Sequence, residues 1–326
     1  MNAPQSGRIR PERSRRFRAP LTPEQLAPLP DSCSTVILSG ALEPSEFERI
    51  ARFLSAYPQV TLHASAHGAP PPFVQTDLAW LAHFPALRRL SIALPDLRDL
   101  AGLEHVKFEL EELRLGAAGR PLSLSPLRHL RNLRTLGIAG PVENFDTVAE
   151  IGQLRDLKLQ GFALPDLSPL KPLVALQQLT IHDGAIESLS GSESLCSLEK
   201  LEIAFVDRLS DLTALAQLSA LRDLTLAHLG NVAALPSLGA LERLRRVRLE
   251  GLKLLRDLSP VASARYLEEI ELVQLPLLSV AGVRPLVGHA TLRTALVLME
   301  SEQQNDDLTR ALGLPMPSGN YILQIV

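Results

Sequence analysis

A six-residue pattern, Leu-x-x-Leu-x-Leu with Ile or Val allowed at the later positions, recurs through most of this 326-residue chain. Nine matches fall in one frame, and successive matches begin 21 to 23 residues apart. Such regular spacing indicates a repeat architecture, in which similar units stack on one another and bury a shared apolar ribbon. The matches begin at Leu87, Leu110, Leu133, Leu154, Leu176, Leu198, Leu221, Leu244 and Leu267.

The short length of each repeat limits what it can contain. Leucines that alternate with variable residues predict a strand with one buried face. About 22 residues cannot hold a strand, a full α-helix and two turns, so the return path should consist of short 3₁₀ turns. The sequence Leu-Ser-Pro-Leu, at 124–127 and again at 167–170, favours such turns because Pro suits their first residues. Since strands pack more closely than bulkier turns, the sheet should line a concave face.

This pattern resembles the leucine-rich repeat family, in particular the short repeats of bacterial internalin-like proteins and of a phosphatase regulator. The resemblance covers about Leu78 to Leu298. It implies an α/β leucine-rich repeat solenoid, with a curved parallel sheet on the concave face, 3₁₀ or short helical turns on the convex face, and a cap at each end. The family's turn asparagine, eight positions after the first Leu, is absent from all nine repeats, where Phe162, Val206 and Leu229 are among the replacements.

The composition agrees with a repetitive core and excludes several classes of protein. Aromatic residues make up only 4% of the chain, whereas about one residue in five is Leu. A formal net charge of −3 gives no global attraction for nucleic acid or for acidic lipid. Residues 1–20 carry no apolar signal segment, and no run of 18 apolar residues exists, so we expect neither Sec-type export nor a membrane span. Only Cys33 and Cys196 are present, which favours a reducing compartment.

The chain ends differ from the repeats. Residues 1–30, which are rich in Arg and Pro, are predicted to be a disordered tail. Residues 31–77 are predicted to form an N-terminal strand–helix–strand cap, with its helix at Ser45–Tyr57 and a capping box of Ser45 and Glu48. Residues 78–298 hold the repeats. Residues 299–326 are predicted to form a C-terminal cap, with a helix at 302–312 and a last strand at 321–326.

The sequence predicts no catalytic, cofactor-binding or metal-binding residues. His63 and His67 have the i, i+4 spacing of a helical metal pair, but they lie on a strand end and in a Gly/Pro loop without nearby carboxylate or thiol ligands. Gly116–Arg120 follows a strand but lacks the Lys-Ser/Thr of a phosphate-binding loop. Cys196 falls in a return segment and is predicted to fill the core.

Residues available for binding occupy the variable strand positions, whose side chains should point away from the leucine core. Arg245, Arg246 and Arg248 are expected beside Glu268, Glu269 and Glu271, either as an ion-pair ladder that keeps the surface soluble or as a docking patch. The middle of the face is less charged and is bordered by an aromatic residue, which suits protein contact. The predicted partner-binding residues are Arg89, Arg114, Thr135, Arg155, Lys158, Gln178, Thr180, His182, Phe205, His228, Arg246 and Arg248.

These features favour a non-catalytic, monomeric, cytoplasmic module that recognises a protein or peptide partner on its concave face. The alternating charges on this face argue against nucleic acid, which needs a continuous basic stripe. Three alternatives stay open. The protein could be an exported effector or adaptor delivered through its N-terminus without a Sec signal peptide, the substrate-recognition part of an enzyme complex, or a self-assembling scaffold.

Overall fold

The computed structural model describes residues 13–66, 73 and 75–317. The chain forms two compact units, unit 1 at Met1–Leu154 and unit 2 at Arg155–Val326. In both units, short parallel strands alternate with 3₁₀ turns or single helical turns. This arrangement confirms the predicted leucine-rich repeat fold.

Within its described residues, unit 1 contains six strands of a parallel sheet, arranged in chain order, and a two-stranded sheet formed by Leu122–Ser123 and Val142–Glu143. One long helix, α1 at Pro44–Leu54, lies between the second and third strands. Turns of 3₁₀ type occupy Ala79–His83, Ala101–Val106, Ser125–His129 and Phe145–Glu150. The strands are β1 (Ser14–Arg18), β2 (Thr35–Ser39), β3 (Thr61–Ser65), β4 (Arg89–Ala93), β5 (Glu112–Leu115), β6 (Leu122–Ser123), β7 (Thr135–Ala139) and β8 (Val142–Glu143).

Up to residue 317, where the described part ends, unit 2 contains seven consecutive parallel strands, each paired with its neighbours in sequence order. Turns of 3₁₀ type occupy Ser168–Leu170, Ser192–Ser194, Thr213–Gln217 and Arg284–Leu286. The strands are β9 (Asp156–Gln160), β10 (Gln178–His182), β11 (Lys200–Ala204), β12 (Asp223–Ala227), β13 (Arg246–Glu250), β14 (Glu269–Val273) and β15 (Thr294–Leu298). The helices are α2 (Ser259–Ala262), α3 (Val280–Val283) and α4 (Glu302–Leu312).

Equivalent apolar residues lie directly beside one another in the strand register. Leu157 pairs with Leu179, Leu179 with Leu201, and Leu201 with Leu224. All four are at most 1% exposed. Burial of one such side chain contributes about 1.5–3 kcal/mol, so the stacked columns supply the main stabilising free energy. Each layer obtains that burial only from the layers on either side of it.

An Asp carboxylate caps several of the return turns. It lies two residues before the turn, and its Oδ1 accepts the backbone N–H of the turn's first residue at 2.8–3.0 Å. The Thr213 hydroxyl and the Ser259 N–H, respectively, keep the pKa of Asp211 and of Asp257 below the usual range of a carboxyl group. These bonds satisfy donors that a short turn leaves without an internal partner. The capping residues are Asp77, Asp99, Asp166, Asp211 and Asp257.

Residues in the left-handed backbone conformation follow the strand ends in unit 2. The N–H of Asp183 donates to the Ala204 carbonyl at 3.1 Å, and the N–H of Phe205 donates to Ala227 at 3.0 Å. His228 makes the same bond one repeat later, to Glu250 at 2.7 Å. This ladder satisfies turn backbone groups without the family's asparagine, whose position is filled by buried apolar residues such as Val206. The left-handed residues are Gly161, Asp183, Phe205, His228, Gly251 and Gln274.

From residue 13 onward, the N-terminal segment corrects the prediction that residues 1–30 are disordered. Within its described part, β1 pairs in parallel with β2. Phe17 is fully buried and makes an edge-to-face contact with Phe53, with ring centroids 5.5 Å apart. The Arg15 guanidinium donates to the carbonyls of Ala27 and Pro28. A composition typical of disorder was outweighed by one buried aromatic and by strand pairing, neither of which local composition reveals.

The bounds of the two longer helices, α1 and α4, can be compared with those predicted for the caps. Helix α1 begins one residue earlier and ends three residues earlier than expected, and its capping box uses Glu43 and Glu46 instead of Ser45 and Glu48. Glu46 Oε2 accepts the Glu43 N–H at 3.0 Å. The predicted bounds of α4 are confirmed, with Ser301 as the N-cap and a left-handed Gly313 after the last turn. The predicted strand at 321–326 lies outside the described residues, and the proposed boundaries at 77 and 298 stay predictions.

Close packing between neighbouring turns yields a matched pair of glycine substitutions in unit 1. A Cβ on Gly102 would lie 2.4 Å from the Leu78 carbonyl oxygen, whereas a Cβ on Gly152 would meet nothing within 4 Å. We expect Gly102→Ala to lower the free energy of unfolding by about 1–3 kcal/mol, because backbone must shift to admit the methyl group. Gly152→Ala should change it by less than about 0.5 kcal/mol. Urea denaturation measures both, and equal losses would contradict the packing argument.

Candidate partner-binding surface

The outer face of each sheet is defined here as the strand side chains that point away from the leucine core. Burial alternates along the strands. In β10, Leu179 and Ile181 are buried, whereas the alternating residues Gln178, Thr180 and His182 are exposed or half-buried. Nine of the predicted partner-binding residues occupy outer-face positions. Arg89, Arg114 and Thr135 lie in unit 1, and Lys158, Gln178, Thr180, His182, Arg246 and Arg248 lie in unit 2.

Three other predicted residues lie off the strands. Arg155 precedes β9, and its guanidinium donates to the Ala175 carbonyl at 3.3 Å, so it lies at the edge where the strands begin. Phe205 and His228 follow β11 and β12 and lie at the opposite edge, where the strands end. Within unit 2, the predicted residues therefore spread over the outer face and both of its edges instead of forming one cluster.

In unit 1, a half-buried histidine lies on the outer face. His63 Nδ1 is 3.0 Å from the hydroxyl of Ser91 on the neighbouring strand. Burial, aided by the positive charges of Arg16 and Arg114, lowers the pKa of His63 to about 4. The imidazole is therefore neutral at pH 7, and its role here is that of a hydrogen-bonding group. The other half of the proposed metal pair, His67, lies outside the described residues.

In unit 2, the outer-face carboxylate of Glu202 contacts two other side chains, His182 and Lys200. Glu202 Oε1 lies 3.0 Å from His182 Nε2, and Glu202 Oε2 lies 4.0 Å from Lys200 Nζ. The hydrogen bond from His182 lowers the pKa of Glu202 in spite of its partial burial. This part of the face therefore presents a fixed negative charge between basic neighbours.

The predicted ion-pair ladder exists in part. Arg245 Nε is 3.5 Å from Glu268 Oε1, and Arg248 Nη1 is 2.7 Å from Glu271 Oε2, as the cross-strand register requires. Arg246 pairs with Asp223 on the preceding strand, at 3.0 Å between Nη2 and Oδ2. The prediction missed this pair because it placed the partners on the following strand alone, although Arg246 has an acidic neighbour on each side.

Arg248 also pairs with a second carboxylate. Its guanidinium contacts Glu250 on its own strand at 2.5 Å, and Glu250 Oε1 in turn lies 3.4 Å from His228 Nε2. Burial raises the pKa of Glu271 even though Arg248 lies against it. A continuous polar network therefore runs from β14 to the strand-end edge of β12.

An aromatic stack projects from that edge. The rings of Phe205 and His228 are stacked with centroids 4.5 Å apart and planes 12° apart. Both residues have positive φ angles, 57° and 52°, a conformation that costs a non-glycine residue about 1–2 kcal/mol. The His228 ring covers Gly251, where a Cβ would lie 2.4 Å from Nδ1. Phe205 is nevertheless 42% exposed, so an aromatic surface is held rigidly in solvent.

The described residues contain no group of three or more His, Cys, Asp or Glu residues placed to hold a metal ion. Cys33 is buried, whereas Cys196 is exposed, so the prediction that Cys196 fills the core was wrong. Its thiol turns outward and donates to the Ser194 carbonyl at 3.2 Å. Among all the residues that the structure describes, no helix has both the length and the apolar composition needed to cross a bilayer.

Solved structures with a similar fold include an internalin (inlF) from Listeria monocytogenes str. 4b F2365. It is 19% identical, with a TM-score of 0.52, over 83% of this chain and 88% of its own. TLR13 in a TLR13–ssRNA13 complex is 20% identical, with a TM-score of 0.55, over 74% of this chain and 37% of its own. An internalin C2 (inlC2) from the same Listeria strain is 22% identical, with a TM-score of 0.47, over 64% of this chain and 85% of its own.

Neither the protein-family models nor the curated proteins gave a match to this sequence. At the identities of the solved structures, the likeness is one of fold. Together with the parallel strands and 3₁₀ turns, it establishes that the chain has the leucine-rich repeat fold.

Several residues that shape this surface were not predicted from the repeat pattern. Glu202 contacts His182, and Glu250 contacts His228. Clefts at the edge where the strands begin are lined by Arg222, Arg243 and Arg293. The sequence could have indicated Arg222 and Arg293, because the residue that precedes each strand recurs with the same spacing as the leucines. Of the residues at this position, the predicted set included only Arg155.

The low pKa of His63 gives a prediction for pH dependence. The pKa falls from 6.5 in the unfolded chain to about 4 in the fold, so between these values only the unfolded chain takes up the proton. Stability should therefore be lost as the pH falls from about 6.5 to about 4. NMR titration of the His63 ring gives the pKa directly. His63→Gln should flatten the slope of unfolding free energy in that range, while His105→Gln, at an exposed site, should leave it unchanged.

Proposed function

We propose that this chain is a non-catalytic recognition module that binds a protein or peptide partner on the outer face of unit 2. The observation that carries the proposal is the exposed Phe205 ring, stacked on His228 while both residues hold the left-handed backbone conformation. Glycine fills the same strand-end position at Gly161 and Gly251 without that cost. An aromatic kept at a strained and exposed position is better explained by binding than by folding.

The surroundings of the stack suit a protein contact. Binding hot spots consist of rigid aromatic side chains surrounded by polar groups that exclude water. Here the polar groups are His182, Glu202, Glu250 and Arg248, which are already paired with one another and so lose little freedom on binding. Thr180 and Gln178 add uncharged hydrogen-bonding groups beside them.

The charge pattern favours a protein over a nucleic acid. TLR13, one of the proteins with a similar fold, was solved in a complex with ssRNA13, so the fold alone does not decide between these partners. On the outer face of unit 2, Asp223 lies between Lys200 and Arg246 in one row of side chains. In the next row, Glu202 lies between Lys158 and Arg248, so acidic groups interrupt both rows of basic ones. A phosphate backbone would meet repulsion along this face, whereas a folded partner can match alternating charges.

Localisation and assembly belong to the same proposal. We propose a monomer that acts in the cytoplasm and recognises its partner there. Its sheet face, rather than a self-assembling end, carries the binding residues. Delivery as an exported effector, or service as the substrate-recognition part of an enzyme complex, would use the same surface, and each becomes testable once a partner is identified.

Replacement of the stacked aromatic tests this proposal. A photo-crosslinking residue placed at Thr180 in living cells should capture a partner that the same residue at Val174, in an exposed turn, does not capture. We expect Phe205→Gly to weaken binding of that purified partner tenfold or more, because it removes a central anchor. Its unfolding free energy should change by no more than about 1 kcal/mol, since relief of backbone strain offsets the lost stacking and the added flexibility.

Phe108 supplies the matched control, because it is 68% exposed but lies in a turn segment of unit 1, away from the outer face. Phe108→Ala should leave the partner's dissociation constant unchanged. The proposal is wrong if both variants weaken binding equally, or if the partner binds Phe205→Gly as tightly as the original chain.

A further inference from the structure

Three arginines in unit 2 line a cleft of about 390 Å³ that no other described residue lines. They are Arg222, Arg243 and Arg245, at the edge where β12 and β13 begin. Basic side chains usually lie beside acidic ones on a protein surface, because three guanidinium groups around one space repel each other. A cleft with cationic walls alone is a place where a negatively charged group would be stabilised.

The repeat itself brings these arginines together. The N–H of Arg245 donates to the Arg222 carbonyl at 2.9 Å, which fixes the two residues as lateral neighbours one repeat apart. Arg243 lies two residues before Arg245 in the turn that leads into β13. The arginines therefore occupy adjacent backbone positions that the leucine register sets, and their convergence does not depend on long flexible loops.

Arg245 is the most firmly held of the three. Its Nη1 donates to the Glu242 and Leu244 carbonyls at 3.0 and 3.2 Å, and its guanidinium lies over the Tyr266 ring, 5.2 Å from the centroid. Its Nε is 3.5 Å from Glu268. These contacts fix the group before any ligand arrives, which lowers the entropic cost of binding.

The other two arginines retain binding capacity. Among the described residues, the Arg222 side chain makes only a distant ion pair with Glu199, at 3.9 Å, and it is 54% exposed. Arg243 is exposed and makes no side-chain hydrogen bond or ion pair with any residue that the structure describes. Each of them can offer a forked pair of N–H donors, the geometry that suits a carboxylate or phosphate group.

A second cleft, of about 380 Å³, shares Arg222 and Arg245 with the first. Its walls also include Arg246 and Arg293 and three acidic residues, Asp223, Glu268 and Glu269. The basic surface is therefore bounded by carboxylates on this side. A long polyanion that extended past the three arginines would meet those carboxylates, whereas a short acidic segment would not.

We infer that the three-arginine cleft is an oxyanion site that binds clustered carboxylate side chains in a short acidic segment of a partner protein. This inference deepens the proposed function and rests on it, because it specifies the chemistry of part of the partner. The acidic segment would anchor at the edge where the strands begin, and the partner's remaining surface would extend across the sheet towards Phe205.

A purified-protein titration tests the site without the natural partner. Fluorescence anisotropy would follow a labelled hexaglutamate peptide, with hexaglutamine of the same length as the neutral probe. We expect saturable binding of hexaglutamate only, weakening as NaCl rises from about 50 to about 200 mM, because the contacts are ionic and exposed. Arg243→Gln should weaken it about fivefold to tenfold, since one forked charged contact is lost. Circular dichroism should show the fold unchanged.

Arg256→Gln is the matched control, because Arg256 is also an exposed arginine of unit 2 but lines neither cleft. It should leave the affinity for hexaglutamate unchanged. The inference is overturned if hexaglutamate does not bind, if Arg256→Gln weakens binding as much as Arg243→Gln, or if a twelve-nucleotide oligouridylate binds more tightly than hexaglutamate.

The outcome separates this inference from the proposed function. Phe205→Gly should bind hexaglutamate as the original chain does, since the stack lies at the opposite end of the strands. Loss of partner binding in Phe205→Gly with no hexaglutamate binding in any variant would refute only the oxyanion site. The opposite result is that hexaglutamate binding depends on Arg243 while the partner binds Phe205→Gly as tightly as the original chain. It would refute only the proposed role of the aromatic stack.

Discussion

Burial of leucine between successive layers is the interaction on which the rest of this structure depends. No single repeat can remove its own leucines from water, so each layer is stabilised by its neighbours, as the register of Leu157, Leu179 and Leu201 shows. That mutual burial holds the parallel strands at a fixed spacing. The variable side chains on the other face are then arranged in columns without further support.

These columns explain how weak local contacts become an organised surface. Arg248 meets Glu271 because the strand register places them side by side, and Arg222 and Arg245 converge for the same reason. Exposed pairs of this kind contribute little to stability, typically about 0–1 kcal/mol each. Their value is positional, since a rigid array of charges and hydrogen-bonding groups can bind a partner with little loss of freedom. The stack of Phe205 on His228 adds an aromatic anchor at one end of that array.

Much of the fold was predictable from sequence, because leucine spacing and turn chemistry are local signals. The strands, the 3₁₀ turns that begin within Leu-Ser-Pro-Leu and the bounds of α4 followed from them. Strand β1 was not predictable, since its order comes from Phe17 meeting Phe53 across 36 residues of sequence. For the candidate site, the sequence predicted which side chains share the outer face but not which of them pair with one another. The pair of Arg246 with Asp223 on the preceding strand was not expected, and Cys196 could have faced inward or outward.

The sequence by itself determined the architecture and the identity of the side chains that face solvent, because a period of two within a period of about 22 residues fixes which positions are buried. Only the tertiary structure decided which of those side chains meet. It placed Phe205 and His228 in a strained, exposed stack, and it brought three arginines around one cleft. The physical reason is that lateral contacts join residues a whole repeat apart, and their geometry depends on backbone angles and rotamers that the repeat pattern does not encode.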